Sequence, residues 1–466
     1  MADPQAVRAA WHDLGQLLAE KRRASGLSQQ ALAAQTNYSR SSIGSIETGI
    51  QHVNRAFWSK ADDLLHAKGE LVAGYHAAEA LQREHQRPTQ PAGESNATLF
   101  YSSSRPHELP ESADKSQDPY PSPTSATEPR SENSWAALRQ PYEVRGSANA
   151  LARIVDSLVV PRTWEIDIPQ DVSMMAAAVA ALRDSYQHSR YGWAAERLPY
   201  WISVSDALMR DRSGGAVDER FSALAAAVYQ VTSGVLLKLD SSAMAALAAE
   251  RSAQAAAAGG NPLVIASSAR AQVHTLLASQ HSDAAVSLAL ASAQNLEKDL
   301  KPTDAALSIR GALVLRAAAA AARDEDRRSC HSLLEEATEI GKQLGRDDNL
   351  GWTAFGPTNV LLHKVSTAVD LGDAGTALDI AAGIDISSIM LPERRAMIYI
   401  DSARALLQWG KFERAFEAIR AAEEHAPEEV RQRSAVHGMI EDLARRSSTT
   451  LRRRVQSYCL SIGMAA

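Results

Sequence analysis

Cysteine is nearly missing from this 466-residue chain, which has only Cys330 and Cys459. Two thiols make neither a disulfide framework nor a metal cluster, and they suit a reducing compartment. Aromatic residues are scarce at 5%, while alanine is abundant, which favours helices packed closely together. No apolar run reaches the roughly 20 residues of a spanning helix without interruption. Lys238, Glu250-Arg251 and Arg316 break the longest alanine-rich stretches. The opening Met-Ala-Asp-Pro-Gln carries no apolar leader, so a cytoplasmic location with no membrane partner is expected. Basic charge is not in excess either, since the net charge is −6.

Catalytic patterns are missing too. Cys330 and His331 are neighbours, and neighbours on a helix do not face each other. Gly345, Gly351 and Gly356 are too widely spaced for a phosphate-cradling loop. Asp347-Asp348-Asn349 lacks the alternation of a calcium loop, and the histidines lack zinc-ligand spacing. No enzyme activity, cofactor or metal is expected.

What is present is concentrated near the start. Residues 27–49 read as two short amphipathic helices with a tight turn between them. Ser28 and Ser39 precede them as N-caps, and Gly49 stands where a left-handed C-cap residue belongs. Leu27, Leu32, Ala33, Ile43 and Ile46 form the inner faces. Upstream, Leu14, Leu17 and Leu18 suit a first helix. Downstream, Phe57, Trp58, Leu64 and Leu65 suit a fourth, and Leu71, Val72 and Tyr75 a fifth.

Leu-Ser-Gln, Ala-Leu-Ala, Ser-Ile-Glu and the final Gly, all in register, make residues 10–80 similar to the Xre/Cro-type (lambda-repressor-like) helix-turn-helix family. The resemblance implies a five-helix DNA-binding domain over residues 1–83, with double-stranded DNA as partner. It implies that the helix from about Arg40 to Thr48 meets base edges through Arg40, Ser41, Gly44 and Ser45. Arg40 has the chemistry for a bidentate guanine contact. Gln29 matches the family's phosphate-clamping glutamine, at a helix end that is itself an anion site. Arg55 joins this set as a cation. The other reading of Gln29 and the serines is that they are caps and solvated face. Arg22 and Glu47 match a structural pair that ties the first helix to the third. Over residues 1–60, seven cations oppose four acids, a local charge of +3. That is modest, so a homodimer is expected to support binding.

Residues 84–134 hold eight of the 18 prolines and ten serines. That composition buries too little apolar area to offset ordering entropy, so a disordered linker is expected.

From about residue 148 to the end the pattern is helical and repeats, which suggests a repeat domain over 135–466. Tyr399, Ala403 and Leu406 fit the first helix of a tetratricopeptide unit. Gly410, Phe412, Ala415, Ile419, Ala422 and Pro427 fit its second. Weaker copies centre on Gly372, Ala374 and Ala377, on Cys330, Leu334 and Ala337, and on Ala285 and Ala289. The whole chain thus resembles actinobacterial regulators that join an Xre-type domain to tetratricopeptide-like repeats. The fold class is all-α, with a C-terminal α-solenoid.

One stretch, Trp352 to His363, breaks the alanine-rich texture. Gly356-Pro357 reads as a helix start, and Asn359 and His363 lie four apart on one face. With Trp352, Phe355, Arg394 and Arg395 they are the candidate site for a peptide or small-molecule effector. The alternative is that Trp352 and Phe355 pack in the core while Asn359 and His363 satisfy backbone groups. A regulator whose repeats only dock proteins or dimerise is the competing functional reading.

Overall fold

The computed structural model describes residues 4–86, 147–160, 172–210 and 218–464. Nearly all of the expected linker lies outside the described residues. Every regular element described is a helix.

The first five helices are α1 (Pro4–Ala24), α2 (Gln29–Thr36), α3 (Arg40–Glu47), α4 (Arg55–Leu64) and α5 (Glu70–Gln86). They enclose their own core, in which Trp11, Leu18, Leu32, Ile43, Ile46, Phe57, Trp58 and Leu71 are almost wholly buried. Side-chain caps set the boundaries. Ser28 accepts from the Ala31 amide, Ser39 from Ser42, and Asn54 from Phe57. Gly49 takes the left-handed conformation after α3, with φ +71°. The Asp62 carboxylate is buried but satisfied, accepting from the Gly69 and Leu71 amides at the start of α5.

The remaining helices are α6 (Ser147–Val159), α7 (Val172–Gln187), α8 (Tyr191–Arg210), α9 (Glu219–Lys238), α10 (Ser242–Gly259), α11 (Pro262–Ala278), α12 (Ser282–Asp299), α13 (Asp304–Arg323) and α14 (Arg327–Leu344). They continue with α15 (Pro357–Asp370), α16 (Ala374–Ala382), α17 (Pro392–Gln408), α18 (Phe412–His425), α19 (Pro427–Arg431), α20 (Ser434–Arg446) and α21 (Thr449–Ser461). From α9 to α18 they pair as consecutive hairpins. The small residues at the hairpin seams are fully buried: Ala285, Ala289, Cys330, Ala337, Ala377, Ala403 and Ala415. Without bulky side chains there, paired helices approach closely and gain dispersion contacts.

Alternate helices α7, α9, α11, α13, α15 and α17 also touch one another in sequence, whereas α10, α12, α14, α16 and α18 do not pack along their own layer to that extent. A stack with one tight and one spread layer curves with the tight layer inside. The curvature brings the ends together. The Gly192 amide on α8 donates to Glu428 at 3.0 Å, and Lys238 of α9 pairs with Glu393 of α17 at 3.2 Å and with Glu429 of α19. The α9 and α13 helices are long and apolar enough to cross a membrane, but both are mostly buried as core helices of this stack.

Candidate nucleic-acid interface and the polar inner wall

The turn between α2 and α3 presents the start of α3 outward. Arg40, Ser41 and Arg55 are exposed, and Gly44 and Ser45 are half-buried. Arg22 donates to Glu47 through Nε at 2.5 Å and Nη2 at 3.2 Å, and through Nη1 to the Leu27 carbonyl at 2.7 Å. The pair therefore ties α1 to α3. Gln29 sits beside the same pair. Its Nε2 donates to Glu47 at 2.8 Å, which draws the amide toward the ion pair rather than outward.

The solenoid covers the beginning of α3. The Asp373 carboxylate, at the N-cap of α16, accepts from the Ser39 amide at 3.0 Å and from the Ser42 hydroxyl at 2.7 Å. The Gly375 amide donates back to Ser42 Oγ at 3.2 Å. Ser42 is wholly buried as a result. A Cβ on Gly375 would lie 2.2 Å from Ser39 Oγ and 2.6 Å from Ser41 Oγ, so the two helix starts meet only because that residue has no side chain.

Beside this contact, Tyr38 donates to the Leu371 carbonyl at 3.1 Å. Burial pushes its hydroxyl pKa up to about 12, which keeps it a donor. The Arg327 guanidinium sits 4.1 Å over the Tyr38 ring and donates to the Asn37 and Leu371 carbonyls. Gln51 donates to the Gly372 carbonyl and accepts from Trp409 Nε1 at 2.9 Å. A cavity of about 470 Å³ lies between α2 and the α14–α16 region, lined in part by Asn37, Tyr38, His331 and Lys364. A second, of about 930 Å³, lies beside Thr48, Ile50, Trp409 and Arg446.

Asp373, Gly375, Arg327 and Ser42 were not legible as a site. Asp373 has the local signature of an ordinary N-cap, and it does accept from the Thr376 amide at 3.1 Å. Nothing in the sequence says that the same carboxylate also serves a helix 331 residues away.

The Trp352–His363 stretch divides. Phe355 is wholly buried, its ring filling the notch left by Gly311, where a Cβ would lie 2.1 Å from the ring. It belongs to the core, which corrects its place among the effector residues. Arg395 Nε donates to the Ile389 carbonyl and ties down the loop before α17. Trp352 lies 5.5 Å from the Arg183 guanidinium, 5.7 Å from that of Arg270, and edge-on to Tyr186 at 5.2 Å. Asn359 and His363 are buried on α15, close to Arg394 and Arg316 in the tight layer. Asn359 Oδ1 is buried without a hydrogen-bond partner. Burial, then the Arg316 charge, holds His363 well below the usual histidine range. Among the described residues, no group of three or more acidic, histidine or cysteine side chains is placed to hold a metal.

Neither the curated proteins nor the solved structures give a match to this chain. One family model does match, described as a helix-turn-helix domain, over residues 13–74. That span runs from within α1 into α5 and takes in the capped α2–turn–α3 unit. The N-terminal domain of this chain is therefore a helix-turn-helix domain of the Xre/Cro type.

Proposed function

We propose that the chain is a DNA-binding transcriptional regulator whose helical-repeat body holds the reading helix in a closed arrangement. The observation that carries this is the Asp373 carboxylate on the Ser39 amide and Ser42 hydroxyl. In helix-turn-helix proteins the N-terminal residues of the second helix meet base edges and its N-terminal amides attract phosphate. Asp373 places an anion there, as a DNA phosphate would be placed, while α16 fills the approach. The repeats, which we read as tetratricopeptide-like, thus act first as a docking body for the chain's own head.

In the open arrangement Arg40 reads a base pair, with Ser41, Gly44 and Ser45 along the groove and Arg55 on the backbone. The +3 balance of residues 1–60 is weak for nonspecific binding, which favours a homodimer on two half-sites. Binding-site selection with the full chain and with residues 1–86 tests the reading. A shared preferred sequence, bound more tightly by residues 1–86, is expected. No enrichment by either protein would refute DNA reading. Equal affinities would refute closure.

A further inference from the structure

The tight inner layer of the solenoid carries more positive charge than it neutralises. Arg183 on α7, Arg270 on α11, Arg316 on α13 and Arg394 on α17 come from four helices of that layer. Their charges are close enough to repel one another. The carboxylate that faces them is Glu393, which is 3.4 Å from Arg394 and already pairs with Lys238 at 3.2 Å. Arg316 forms no hydrogen bond or ion pair among the described residues, yet it is not fully covered. Arg270 is 92% buried, and its Nε has no acceptor. Arg183 Nε, His274 Nε2 and Trp352 Nε1 are likewise buried without partners.

Buried donors normally have acceptors, and leaving them unmade is costly. Unpartnered buried nitrogens beside a cluster of like-charged guanidiniums, on one inner wall, are the mark of a missing anionic acceptor. We propose that this wall binds a small molecule bearing a multiply charged oxyanion group, phosphate or clustered carboxylates, with the guanidiniums as clamps and the Trp352 ring as floor. Guanidinium suits such groups because its planar fork matches their oxygens bidentately. Burial, followed by mutual repulsion with Arg394 and Arg270, lowers the Arg316 pKa to about 9, and burial chiefly lowers that of Arg270 to about 10. Arg316 and Arg270 therefore stay charged at neutral pH, at a cost that an anion relieves. His274 and His363 are held neutral by burial and by Arg316, so they can act as neutral donors to the ligand.

The inference takes the regulator reading only for what the ligand would control. Its test is read without DNA, so the two fail separately. Melting of the full chain is followed in sodium phosphate, pyrophosphate and citrate against sodium chloride at equal ionic strength. A rise of about 2 °C at an anion concentration roughly ten times its dissociation constant is expected. Whether the phosphates or citrate acts identifies the charged group. Arg316→Met should abolish the anion response without lowering the melting temperature in chloride, because it removes an unpaired cation. Arg183→Met, on a separate helix, makes the same test should the first variant fail to fold. No anion doing more than chloride, or a full response in a folded Arg→Met variant, would overturn the site.

Discussion

Replacing Asp373 by serine isolates the closing contact. Serine remains a good N-cap, so α16 keeps its start. The variant loses the two hydrogen bonds to Ser39 and Ser42, each made to an ionised carboxylate. Such bonds contribute roughly 1.5–3 kcal/mol apiece. Asp373 is only 3% exposed, so solvent screening is slight, but Ser42 can still bond to the Gly375 amide. The lower values are therefore apt, and the sum is about 3 kcal/mol. Cap bonds within α16 exist in both arrangements and cancel. Closure reduces apparent DNA affinity by the fraction of open protein. Asp373→Ser should then bind a selected operator up to about 100-fold more tightly, approaching but not exceeding residues 1–86. Fluorescence anisotropy with labelled duplex, at one fixed salt concentration, measures this. If Asp373→Ser bound within twofold of the unaltered chain while residues 1–86 bound far more tightly, the carboxylate would not be what holds the head. If all three bound alike, there would be no closure to explain.

Gly375→Ala should open the head by a different route, since its Cβ would sit 2.2 Å from Ser39 Oγ. Alanine suits the helix, so circular dichroism should be unchanged while operator affinity rises. Arg40→Ala should flatten preference at one base pair by about 1–3 kcal/mol, read by binding-site selection on residues 1–86. Arg22→Ala leaves the 6%-exposed Glu47 without its cation and should cost the domain about 3 kcal/mol, seen as a lower urea midpoint with unchanged slope. Residues 1–86 alone should fold on their own core and lose DNA affinity steeply between low and physiological salt.

The five-helix head was legible because its signals are local. Caps at Ser28 and Ser39 and the apolar stripe through Ile43 and Ile46 are each written within a short span of chain, while the Arg22–Glu47 pair came with the family resemblance. The hairpins were legible where a small seam residue recurs, as at Ala377 and Ala415. The Trp352–His363 stretch stood out by composition, yet composition could not sort its members. Phe355 went to a notch opened by Gly311 and Arg395 to a loop carbonyl, while Arg183, Arg270 and Arg316 joined from helices that gave no local sign.

Sequence alone settles that the chain is helical, where the capped helices of the head start, and that the head carries a helix-turn-helix. Those are matters of propensity, capping and periodicity, which act over a few residues. The curvature of the repeat stack is another matter, since it sums small rotations over many hairpins. That curvature decides that Asp373 meets Ser42 across 331 positions and that four arginines from four helices share one wall. Long-range electrostatic placement of this kind depends on where whole elements end up, and only the tertiary structure states it.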